Sequence, residues 1–258
     1  MSEAKAVSGT ILANKAIASA WEAWAKMKPL VVSAMIASSI VAAGFALAES
    51  IVGAPLHEFS PKSAALEFAQ AFLNAVIATP VAIAMHRLIL RGEATPGIIS
   101  FRQPYHWLFL AWASVFLLAQ NALTVLPQSA AGYALAAVVG LGVGILWLRS
   151  ALLFPAIAVQ EQSAWRTQLQ KSWRQMNGNF WLFIRAMLLA IIPLIALLFV
   201  YLAALVIPIL LIAHLPFAKV IEKVFSAAAA GAIAPAGVMI AAAIASWLYA
   251  DIRARPVG

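Results

Sequence analysis

Two groups of side chains in this 258-residue sequence combine types and spacings that could do chemistry. Glu67, Gln70 and Asn74 stand at i, i+3 and i+7, so in a helix they share one face. Gln120 and Asn121 fall at a similar depth in the next apolar segment. Amides and a carboxylate in such surroundings either join two helices by hydrogen bonds or line a polar cavity. The second group is basic. His86, Arg87, Arg149 and Arg185 lie at the ends of apolar segments, and Lys171 and Arg174 fall between the last two. Cations so placed either snorkel to a headgroup layer or ring an anionic lipid headgroup or other phosphate.

Neither group makes a catalytic constellation. The four histidines (57, 86, 106 and 214) are scattered, without the HExxH spacing that would seat a metal. Glu67 is the one acid at membrane depth, so no carboxylate pair is available for acid–base work. There is no GxSxG, no Walker loop, and no cysteine for thiolate catalysis, disulfides or thiolate–metal bonds. The expectation is a protein that is not an enzyme and holds no metal or cofactor.

The elements that must position these residues are set by composition. Charged residues make up 10% of the chain and hydrophobic ones 64%, with a mean hydropathy of +0.95. So few charges could not cover the apolar surface of a water-soluble fold this size, whereas lipid is itself the apolar solvent. Six stretches are long enough for a helix to cross ~30 Å of hydrocarbon: about 30–48, 64–88, 106–126, 132–154, 181–207 and 224–249. Fourteen of the seventeen Lys and Arg residues fall on one side of those spans. Positive charge stays inside, so both termini are expected in the cytoplasm. The net charge of +8 then reflects topology and attraction to anionic lipid, with no nucleic-acid partner expected.

Residues 8–28 and 162–179 read as amphipathic helices lying in the headgroup plane. In the first, Ile17, Trp21 and Trp24 form the apolar face. Ala46-Leu47-Ala48 also resembles a signal-peptidase site, but a positive region of nearly thirty residues is far longer than that of a usual signal. Trp107-Leu-Phe-Leu opens the third span and Trp181-Leu-Phe-Ile the fifth, which suggests three repeated hairpins. Gly140 and Gly144 in the fourth span, and Gly231 and Gly237 in the sixth, are small residues that let helix backbones approach closely. They offer packing within the bundle, or a face for a partner protein or a second copy.

Three short stretches carry a resemblance: Met85-His-Arg-Leu-Ile-Leu-Arg-Gly-Glu93, Arg149-Ser-Ala-Leu-Leu-Phe-Pro-Ala-Ile-Ala-Val159 and Ser172-Trp-Arg-Gln-Met-Asn-Gly-Asn-Phe-Trp181. They resemble uncharacterised inner-membrane proteins of alphaproteobacteria and, more distantly, the six-span membrane anchor of some glycerophosphodiester phosphodiesterases. The chain has no room for the phosphodiesterase barrel, so no catalytic residue carries over. The resemblance implies a bacterial inner-membrane location and a non-catalytic role. The sequence thus gives an all-α polytopic membrane helix bundle that organises or assists other membrane components, with anionic lipid at its inner face. The alternatives are a small-solute transporter or channel built on the Glu67 cluster, and a structural subunit of a larger membrane complex.

Overall fold

The structure is a computed structural model that describes residues 8–52, 61–94, 101, 103–121, 129–160, 165–212 and 217–255. Side chains are not described at 52, 61–64, 117–118, 120–121, 130, 165, 197–198, 201–202 and 204–212. The described residues form helices, in the order α1 (Gly9–Lys26), α2 (Lys28–Val52), α3 (Pro61–Arg91), α4 (Pro104–Asn121), α5 (Ala130–Ser150), α6 (Leu153–Ala158), α7 (Trp165–Asn177), α8 (Phe180–Ile212) and α9 (Ala218–Ala254). Among these residues, α2, α3, α5 and α9 each contain a stretch long and apolar enough to cross a membrane. A fifth candidate is the bent pair α7 and α8, whose segments Arg166–Asn177 and Phe180–Ala196 meet at 81°.

The architecture is organised around α9, which packs on α1, α2, α3, α6 and α8. Its small residues make this possible. A Cβ on Gly231 would lie 2.5 Å from the Ser38 carbonyl oxygen, so α2 and α9 touch backbone to backbone there. About two turns nearer the start of α9, Lys223 pairs with Glu49 of α2 at 2.9 Å. Pro80 inside α3 removes one helical hydrogen bond, a loss the surrounding helices tolerate because Pro80 is buried.

One expected boundary moves. The helix of the fourth expected span does not continue to residue 154: α5 ends at Ser150, and Ala151–Leu152 turn into the short, buried α6. Apolar sequence runs unbroken through the turn, so hydropathy alone does not register it. The third expected stretch is described as α4 up to Asn121, its remaining residues lying outside the described ones. The link expected from Pro127 also lies outside them, up to residue 128.

The first interfacial helix also differs from expectation. α1 starts at a Ser8 cap and buries Leu12, Ala13, Ala16, Ser19 and Ala23 against the bundle, chiefly α8 and α9. Of the three residues expected to form its apolar face, Trp21 is 76% exposed, and Ile17 and Trp24 are half-buried. The narrow stripe of small residues wins because it lets α1 lie close on α9. There Trp247 Nε1 donates to Ser19 Oγ at 3.0 Å and Lys15 sits over the Trp247 ring.

Candidate functional site

α7 and α6 set the ends of the helices around them. Ser172 Oγ donates to the Arg149 carbonyl at 2.7 Å, and Trp173 Nε1 to Ser150 Oγ at 3.3 Å, so α7 satisfies groups left over at the end of α5. Arg149 lies over the Trp173 ring. At the end of α3, Gly92 takes φ +69°, and the amides of Gly92 and Glu93 turn back to the carbonyls of Leu88 and Arg87. That turn delivers Glu93 to Arg87, whose Nε donates to it at 2.8 Å while Nη1 donates to Tyr105 Oη at 2.7 Å. Arg91 donates to the Val159 carbonyl at the end of α6.

The expected basic ring is therefore divided. Arg87 has an acidic partner and a tyrosine across the α3–α4 junction. Arg185 is exposed on α8, its aliphatic stem packed against Gly9 of α1. Arg149, Lys171 and Arg174 remain on the α5–α7 side, the last two exposed.

Beside this layer the helices form a half-open chamber of about 670 Å³. One face of α3 contributes Ala75, Ala78, Thr79, Ala82 and His86, at helical spacing. From α5 come Gly140, Val143, Gly144 and Trp147, and from α9 Val238, Ala241, Ala242 and Ala245. Phe109, Ala113 and Phe116 of α4, Phe154 of α6 and Phe183 of α8 complete the wall with Ala151. Small side chains on three helices leave the volume, and the phenylalanines bound it. Phe109 and Phe154 have ring centroids 4.8 Å apart, and Phe109 lies 5.9 Å from the His86 ring.

This arrangement corrects the reading of the glycines. Gly140 and Gly144 border the chamber, and a Cβ on Gly144 would meet nothing within 4 Å. At Gly144, then, no helix packs closely among the described residues. Gly237 is looser than Gly231, its nearest neighbour being Leu194 at 3.9 Å. None of the three polar residues expected to share a face of α3 is in the lining of the chamber. Glu67, Gln70 and Asn74 are half-buried, and the lining of the chamber begins one residue further on, at Ala75. Gln120 and Asn121 lie in α4, but their side chains are outside the described ones.

One polar residue of the chamber stands out. His86 is 2% exposed, and its Nδ1 lies 2.7 Å from Ser246 Oγ on α9. Sequence reading groups His86 with the basic interface residues, and Ser246 carries no signal, since a serine among alanines is common in a packed helix. The Trp-Leu-Phe pairs, in contrast, are informative. Trp107 and Trp181 are 59% and 77% exposed, while Phe109 and Phe183, two residues on, are buried and line the chamber. Among the described residues no group of three or more His, Asp or Glu side chains could hold a metal. Comparison with known protein families, curated proteins and solved structures gives no match, and the chamber has to be read from its own chemistry.

Proposed function

We propose that this is a non-catalytic protein of the bacterial inner membrane that holds a lipid-like molecule in the chamber and so assists other membrane components. It crosses the membrane six times, as three hairpins, with α4 and α8 as spans and both termini in the cytoplasm. The carrying observation is the chamber: about 670 Å³, walled by alanine, glycine and aromatic side chains, with no Lys, Arg, Asp or Glu in its lining among the described residues. Volume and apolar lining of this kind suit a drug-sized or lipid-sized ligand. Arg149, Lys171 and Arg174 supply the positive charge for an anionic headgroup beside it.

The test is lipid mass spectrometry on the full chain purified in mild detergent. Filling the chamber with Ala82→Phe or Ala242→Phe is expected to strip the co-purifying lipid, while Val138→Phe, on the side of α5 away from the chamber, leaves it in place. Charge-neutral substitution of Arg149, Lys171 and Arg174 is expected to remove anionic species selectively. Retention that is unchanged by the filling substitutions contradicts the reading.

A second reading has its own observation. On α5, Val138 and Leu141 are 70% and 68% exposed, and a Cβ on Gly142 would meet nothing within 4 Å. This small-residue face is suited to a partner helix, as a subunit of a larger membrane complex requires. The solute-transport alternative has less support, because the cavity beside α3 is apolar rather than polar.

A further inference from the structure

We propose that the molecule held in the chamber is a neutral lipid alcohol whose hydroxyl donates a hydrogen bond to His86 Nε2. The inference rests on the reading that the chamber is a ligand site, and adds the chemistry that selects the ligand.

The argument is one of proton counting. Ser246 Oγ has a single proton, and it donates to the Ala242 carbonyl one helical turn back, at 2.9 Å. A hydroxyl turned instead to Nδ1, 2.7 Å away, would leave the ring proton on Nε2, so the proposal takes the arrangement in which Ser246 Oγ accepts from His86. In that arrangement Nδ1 carries the ring proton, and Nε2 of the neutral imidazole carries a lone pair. No hydrogen-bond partner engages Nε2 among the described residues, although His86 is 98% buried and lines the chamber. Nε2 is not sealed without a partner as Ser114 Oγ is, so it opens on the chamber, and a ligand that brings a donor there gains a hydrogen bond in apolar surroundings.

The rest of the lining narrows the ligand. Thr79 spends its hydroxyl proton on the Ala75 carbonyl at 2.8 Å, so it does not compete as a donor to the ligand. Among the described residues no Lys or Arg lines the chamber to offset a carboxylate or phosphate, so an ionised head is disfavoured there. What fits is one hydroxyl on an apolar body. That body is either a single alkyl chain or a fused-ring skeleton, and both present the same group to Nε2.

Two matched pairs of probes separate these sources on the unaltered full chain in phosphatidylcholine nanodiscs. One pair is 1-hexadecanol and its methyl ether; the other is a sterol and its methyl ether. The ethers keep the body and lose the donor. For whichever body binds, the alcohol is expected to bind about tenfold tighter than its ether, the effect of one net hydrogen bond. Nitrogen NMR of histidine-labelled protein gives the second readout, simplified by there being only four histidines. The unprotonated His86 nitrogen is expected to shift with the alcohol and not with the ether, and His86→Phe is expected to abolish both the shift and the preference. Should that variant fail to fold, the paired probes on unaltered protein still decide. Alcohol and ether binding equally, with no shift, overturns the assignment while leaving the chamber a ligand site. That result is also expected if a fixed water occupies Nε2. If none of the probes binds, the chamber reading falls and the assignment falls with it.

Discussion

At the scale of single residues, the same residue type does opposite work at two places. Gly231 lies where a Cβ would be 2.5 Å from the Ser38 carbonyl oxygen, whereas Gly144 faces open space. Gly231→Ala is therefore expected to force α2 and α9 apart and cost on the order of 1–3 kcal/mol, seen as a lowered unfolding temperature. Gly144→Ala is expected to leave that temperature unchanged. Ser114 supplies a third case. Its Oγ is sealed in the interior without a hydrogen-bond partner, so Ser114→Ala is expected to stabilise the protein by about 1 kcal/mol. Sequence made the glycines legible as small residues but not their roles, because spacing on one helix carries no information about how close the facing helix comes. His86 was visible only as one of the basic residues at the inner boundary. Its role depends on Ser246, 160 positions away, and no local pattern joins them.

At the scale of elements, the apolar helices were readable because each carries its own hydropathy signal, whereas the break between α5 and α6 was not. Residues 151–159 remain apolar throughout, and the turn is paid in hydrogen bonds from elsewhere: Ser172 to Arg149, Trp173 to Ser150 and Arg91 to Val159. α1 and α7 were recognised as amphipathic, but which stripe of α1 faces inward was set by close approach to α9 rather than by hydrophobicity. The proposed topology belongs to this scale and has a direct check, since the chain has no cysteine of its own. Single cysteines at Thr10, Gln103, Gln170 and Arg255 are expected to be protected from a membrane-impermeant maleimide in intact spheroplasts. Cysteines at Ser129 and Lys219 are expected to react. If Gln103 and Ser129 lie on the same side, α4 is not a span and the six-fold crossing is wrong.

At the scale of the whole molecule, the chamber exists because faces from six helices of different size meet at one place. α3, α5 and α9 bring small residues, α4, α6 and α8 bring phenylalanine, and the deficit of volume between them is the cavity. No single segment encodes that deficit, which is why the sequence pointed instead to the Glu67 face and to the basic rim. The Trp-Leu-Phe pairs were its nearest visible trace, with each tryptophan outward and each phenylalanine in the wall. The most direct measurement of the central claim is photo-crosslinking of the purified full chain with a diazirine-bearing long-chain alcohol, followed by peptide mapping. Adducts are expected on the chamber faces of α3, α5 and α9, within 75–86, 140–147 and 238–245, and are expected to disappear in Ala82→Phe. Adducts confined to the outer face of α5, around Val138 and Leu141, and equally abundant in Ala82→Phe, would contradict the account.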